Sequence, residues 1–206
     1  MERVNPVRKI YDWVLKWAET PYGVPALALL AFSESCFFPI PPDVLLIAMA
    51  ISVPKKALKY ALICSVFSVL GGMAGYLIGW GMWELVGDFF LKYVFSPLEH
   101  NIDRGRELFQ IVQLKYQTNA FFAIFTAAFT PIPYKIFTIA AGVFGVKFFT
   151  LVTASAIGRS MRFFIVAGLI YFLGPSIKGF IDKYFNILTI VFTIILVVGF
   201  LAVYMI

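Results

Sequence analysis

"CFFPIPPDVLLIAMA", Cys36 to Ala50, decides the fold, because a near-twin, "AFTPIPYKIFTIAAG", runs from Ala128 to Gly142. Both read aromatic, any residue, Pro-Ile-Pro, any residue, charge, and then turn apolar. They superpose without a gap. Pro39, Ile40 and Pro41 fall on Pro131, Ile132 and Pro133, Ala48 falls on Ala140, and Asp43 stands where the other has Lys135. Proline inside a helix removes a backbone hydrogen bond and clashes with the preceding turn. Each apolar run therefore breaks into two short helices, with Pro39, Pro41 and Pro42 at one tip and Pro131 and Pro133 at the other.

The rest of the chain says what surrounds these breaks. Of 206 residues, 61% are hydrophobic and 14% charged, far from the roughly one-quarter charged of a soluble domain. Several windows reach the ~20 apolar residues that cross a bilayer. The composition is that of an all-α polytopic membrane protein. The formal charge of +6 fits anionic lipid and basic inner loops. No basic face with interleaved aromatics points to nucleic acid. Cys36 and Cys64 lie in apolar runs without metal spacing, and His100 stands alone in a polar stretch. Neither a metal nor a cofactor is expected.

Residues 1–20 place Ile10, Trp13, Val14 and Trp17 at helical spacing among charges, the pattern of an amphipathic helix lying at a membrane interface. Residues 21–206 form one membrane domain. Its first half-repeat, 21–82, holds the broken segment 25–53 and an uncharged span, 60–82. In that span Gly71, Gly75 and Gly79 are four apart, which allows close helix approach. Residues 83–119 form an extramembrane linker with an amphipathic helix. The second half-repeat, 120–174, holds the broken segment 120–146 and the span 148–173. A last span, 184–206, follows a polar turn. No cleavage site reads at the first apolar run, which begins only after Pro21.

Length argues how the broken segments sit. Residues 25–38 rise only ~21 Å as a helix, short of the ~30 Å hydrocarbon core, and 43–53 rise less. A re-entrant hairpin that enters, turns at Pro-x-Pro and leaves on the same side fits. A single kinked span over 27–51 is the alternative. With both hairpins re-entrant, nine basic residues (Arg3, Arg8, Lys9, Lys16, Lys55, Lys56, Lys59, Lys178, Lys183) face one side. Five (Lys92, Arg104, Arg106, Lys115, Lys147) face the other. The positive-inside rule then makes the amino terminus cytoplasmic. The halves become inverted repeats with about three full spans, and Pro-interrupted segments in matching positions point to a transporter-like site.

Five ionisable residues lie within apolar segments: Glu34, Asp43, Lys135, Arg159 and Arg162. Unpaired at mid-bilayer, each costs at least ~2.5–3.5 kcal/mol. Two acids and three bases leave a surplus of one positive charge. Lys135, Arg159 and Arg162 are the candidate contacts for a phosphate headgroup, aided by the free N–H groups of the half-helix starts. Glu34 and Asp43 repel phosphate and are instead candidates for proton coupling, since burial and a nearby arginine pull a carboxyl in opposite directions. Blander roles stand beside these: static ion pairs for the acids, snorkelling for Lys135, carbonyl capping for the arginines. Catalysis is not expected, because Ser33, Ser35, Ser155 and Ser160 have no partner histidine.

"FSESCFFPIPPD" (32–43), the Gly-rich span, "FTPIPYKIFTIAAG" (129–142) and "GRSMR" (158–162) together resemble the DedA / SNARE-associated (VTT-domain) membrane proteins, close to the YqaA-like branch, over roughly residues 25–175. The resemblance implies two facing re-entrant hairpins and a role in lipid movement: transport of undecaprenyl phosphate, proton-motive-force homeostasis, or phospholipid scrambling. It places the family's acidic pair on Glu34 and Asp43 and its basic residue on Lys135. Many members carry an arginine before the second proline motif and another after it. Here those surroundings are Ala127, Ala128 and Tyr134, leaving Arg159 and Arg162 to supply the charge. The expectation is a flippase or scramblase of the cell (inner) membrane whose partners are phosphate-headed lipids, with a homo-oligomer allowed. The rivals are a proton-coupled small-ion or drug exchanger and a non-transporting assembly factor.

Overall fold

The computed structural model describes residues 22–37, 41–93, 102–130 and 132–173. The expected interfacial helix 1–20, Pro39, Pro131, His100 and the last span 184–206 lie outside the described residues. Among those described, the chain forms helices and no strands: α1 (Gly23–Cys36), α2 (Asp43–Ser52), a short 3-10 turn (Pro54–Lys56), α3 (Ala57–Tyr93), α4 (Ile102–Thr118), α5 (Ala120–Phe129), α6 (Tyr134–Val143) and α7 (Phe148–Leu173).

Proline sets most of these boundaries. Pro42 is the N-cap of α2 and Pro133 the N-cap of α6, where a missing N–H is no loss. Val53, before Pro54, and Thr130, before Pro131, leave helical geometry with ψ of 76° and 168°, because the following pyrrolidine ring crowds the α region. Gly145 closes α6 at a φ of 63°. A side chain there is strained, and the amide of Val146 reaches back to the Ala141 carbonyl at 2.9 Å.

Among the described residues, two helices are long and apolar enough to cross a membrane: the run Pro54–Leu85 and α7. Large apolar side chains such as Leu62, Leu77, Phe149 and Phe172 are exposed along them. The sequence reading ended the first span at residue 82; α3 instead continues to Tyr93. "MWELVGDFFLKY" contains no proline, so helix propagates through it. The amphipathic helix expected within 83–119 is α4.

α3 is the spine. α1 packs along one side of it and α6 along another, α7 packs on α3, α5 packs on α7, and α2 lies against both long helices. Glycines make the crossings close. A methyl group at Gly71 would overlap the Phe32 carbonyl of α1, and one at Gly79 would overlap the Ile139 carbonyl of α6. One at Gly142 of α6 would overlap the Tyr76 carbonyl of α3. The glycine stripe read from the sequence is thus a two-sided contact seam.

α4 grips the far end of α6. The amides of Gln113 and Gln117 both donate to the Phe144 carbonyl, at 2.9 and 2.6 Å, and the Tyr116 hydroxyl donates to the Phe137 carbonyl at 2.8 Å. Burial pushes the Tyr116 phenol above the ordinary tyrosine range. Trp83, Phe109 and Phe144 stack beneath this clasp.

Because the seam tolerates no added atoms, Gly79→Ala and Gly142→Ala should each destabilise the protein by ~1–3 kcal/mol, as overpacking does. Gly81→Ala points into open space and should leave the melting temperature in detergent unchanged or raise it. A melt in which all three behave alike refutes the seam.

Candidate functional site

The five ionisable residues singled out above converge where the two broken segments approach each other. α7 supplies both arginines, and they do different things.

Arg159 is 2% exposed. Its guanidinium sits between the Tyr134 and Phe163 rings, 4.9 Å from each centroid. Its Nη2 donates to Glu34 Oε2 at 2.5 Å and to Ser35 Oγ at 3.2 Å, and its Nε donates to Ser68 Oγ. The Ser35 and Ser68 hydroxyls pair at 2.6 Å, and Ser35 also donates to Glu34 Oε2 at 3.2 Å. One arginine therefore ties α7 to α1 and α3. The aromatic faces add attraction that grows when the cation is desolvated.

Arg162, three residues on, meets the ends of two short helices. Its Nε and Nη2 donate to Asp43 Oδ1 and Oδ2 at 3.2 and 2.7 Å, a two-pronged pair. Its Nη1 donates to the Thr130 carbonyl at 2.7 Å. Asp43 opens α2 and Thr130 closes α5, so Arg162 joins the start of one short helix to the end of another. The carboxylate also suits the partial positive charge of a helix start. Arg162 and Asp43 are 17% and 18% exposed, against 2% and 18% for Arg159 and Glu34.

Lys135 is half-buried at the start of α6. Its Nζ stands 3.4 Å from the Phe37 carbonyl, at the end of α1, where a cation suits the negative helix terminus. Among the described residues no carboxylate pairs with it. The surplus positive charge counted from the sequence therefore rests on Lys135.

Tyr134 is fully buried, and its hydroxyl fills the space that the absent side chain of Gly72 leaves. That hydroxyl and Ser155 Oγ have no hydrogen-bond partner among the described residues. No group of three or more acidic, histidine or cysteine side chains with metal-binding geometry occurs among the described residues.

All five charged residues named from the sequence lie in this arrangement, with Pro41, Pro42 and Pro133 at its edge. The arginines share a helix face as their spacing predicts. Their partners Ser35, Ser68, Tyr134, Phe163 and the Thr130 carbonyl were not singled out as such. One signal was present: Ser68 stands at the head of the glycine stripe, three residues before Gly71, on the face that touches α1.

Residues 40–172 match the VTT domain family, and the chain belongs to that family, the DedA family of membrane-associated proteins. It is 33% identical over 179 residues to a protein of Haemophilus influenzae described as uncharacterized, covering 87% of this chain and 88% of that one. It is 29% identical over 167 residues to a similarly described protein of Histophilus somni, covering 81% and 82%. No solved structure matches.

Removing one partner of a buried ion pair leaves the other charge uncompensated, at ~3–5 kcal/mol. Glu34→Ala, which strands the Arg159 cation, should lower stability by about that much, and Glu34→Ala with Arg159→Met should recover a large part of it. Asp43→Ala strands a more exposed arginine and should cost less. Thermal unfolding of the four proteins in detergent measures the ranking; equal losses for the two acid variants contradict it.

Proposed function

We propose that the chain is an integral membrane lipid transporter, a flippase or scramblase. Its substrate is a phosphate-headed lipid such as undecaprenyl phosphate or a phospholipid, moved between leaflets of the cell (inner) membrane. The observation that carries this reading is the surplus cation. Three short helices, α1, α2 and α6, and the long α7 bring two acids and three bases to one place, the acids neutralise the arginines, and Lys135 is left to attract an anion. In this reading the headgroup contacts Lys135 and Arg162, and the acyl or prenyl tail stays in lipid. Arg159, with 2% exposure, moves from phosphate contact to anchor. Glu34 and Asp43 are the proton-coupling residues of this reading, since only a carboxylate without its proton competes with the headgroup for an arginine.

The re-entrant, inverted-repeat architecture belongs to the same proposal. The 14 residues of α1 and the 10 each of α2, α5 and α6 rise ~15–21 Å, too little to cross ~30 Å of hydrocarbon. α1 lies on α3 as α5 lies on α7, which supports two related halves. The positive-inside count sets the amino terminus in the cytoplasm. The chain acts without a cofactor and without covalent chemistry.

One observation favours a second reading. Both carboxylates are already engaged by arginines, as in a non-transporting assembly factor whose charges only hold the helices together.

Liposomes reconstituted with wild type, Arg162→Ala and Glu34→Gln, loaded with a fluorescent phosphate-headed lipid, separate the two. Transport predicts at least a tenfold slower flip for Arg162→Ala, since charge-assisted bonds to phosphate contribute ~1.5–3 kcal/mol. Flipping by all three proteins no faster than in protein-free liposomes rejects it in favour of the assembly factor.

A further inference from the structure

We infer that Asp43 is an internal competitor for the anion seat on Arg162: its carboxylate occupies the place that a phosphate oxyanion takes when the site is loaded. The inference rests on the lipid-phosphate reading and adds how that site is kept closed.

Three observations carry it. The first is the shape of the pair. Asp43 offers two oxygens to Nε and Nη2 of Arg162, the fork that recognises carboxylate and phosphate alike. A phosphate can replace Asp43 there without displacing Arg162, because Nη1 stays bound to the Thr130 carbonyl. The second is the contrast with the neighbouring pair. Arg159 is 2% exposed, clamped by two rings and bonded to Ser68 as well as Glu34, so no incoming group reaches it. Arg162 and Asp43 are 17% and 18% exposed. The third is the company. Lys135 follows the same tip as Thr130, five residues on, and carries no carboxylate partner among the described residues. It makes no ion pair with Asp43 and is a point-like cation where Arg162 offers a fork.

The exchange has a structural consequence. While Asp43 holds Arg162, the start of α2 is tied through that arginine to the end of α5. An anion that takes the fork frees α2 from that link. Binding the headgroup and parting the two tips are then one event, and the return of Asp43 expels the anion. Asp43 loses little in the interval, since the open N–H groups of the first turn of α2 still favour its charge.

The test is binding by the purified full-length chain in detergent micelles, followed by thermophoresis against phosphatidic acid, phosphatidylcholine and inorganic phosphate. Asp43→Asn should bind phosphatidic acid about tenfold more tightly than wild type, the scale of one charged hydrogen-bonded contact no longer contested. Arg162→Lys should bind more weakly than wild type, and adding it to Asp43→Asn should abolish the gain. Asp43→Glu retains the carboxylate and the pairing, protects the fold, and should bind no more tightly than wild type; tighter binding overturns the proposal without any need for the asparagine variant. An equal gain with inorganic phosphate assigns the seat to the phosphate group itself. A gain confined to phosphatidic acid assigns it to the lipid headgroup. Asp43→Asn binding no tighter than wild type, with Arg162→Lys still impaired, overturns the competitor and leaves the lipid reading standing. Failure of every protein to bind either phospholipid overturns both.

Discussion

A guanidinium held at 2% exposure inside an apolar helix bundle constrains everything around it. Leaving a buried charge without its partner costs ~3–5 kcal/mol, a large share of the ~5–15 kcal/mol by which a fold is stable. Arg159 must therefore meet Glu34, and around it the Ser35 and Ser68 hydroxyls and the Tyr134 and Phe163 rings must be in place. These groups come from α1, α3, α6 and α7. One desolvated cation thus specifies how four helices sit, in a chain whose remaining contacts are mostly non-directional.

The glycine seam makes that meeting geometrically available. A serine hydroxyl on α3 reaches the Ser35 hydroxyl on α1 at 2.6 Å because the backbones are close, and Gly71 lets the Phe32 carbonyl approach. On the other side of α3, Gly72 and Gly79 admit Tyr134 and the Ile139 carbonyl. Tyr134 can then lie over Arg159. Packing of small residues and pairing of charges are here two aspects of one arrangement: the first sets the spacing that the second needs.

The two ion pairs divide the labour. The inner one is shielded and has extra donors and aromatic faces, so it holds the bundle. The outer one joins the start of α2 to the end of α5 and is partly open to its surroundings, and Lys135 has no acid partner among the described residues. A site that binds and releases an anion needs this inequality, since a fully satisfied pair has nothing to offer and an unpaired cation is costly to hold in an apolar medium.

Much of this was legible in the residues. The paired Pro-Ile-Pro motifs dictate where the short helices break, because proline acts locally on the backbone, and α2 and α6 begin immediately after Pro42 and Pro133. Hydropathy marks the long helices, and the charges embedded in apolar runs identify Glu34, Asp43, Lys135, Arg159 and Arg162 as the residues with most to explain. Even the surplus of one positive charge is a matter of counting. The uncharged span reads to residue 82 while α3 runs on to Tyr93, because polarity bounds an apolar run whereas a helix stops only where its hydrogen bonds are broken. Which acid meets which arginine, that Arg159 is sealed while Arg162 stays reachable, and that Lys135 keeps the surplus were left to the tertiary structure. Those facts depend on contacts between positions about 100 residues or more apart in sequence, and a composition or a period carries no record of which distant side chains share a desolvated space.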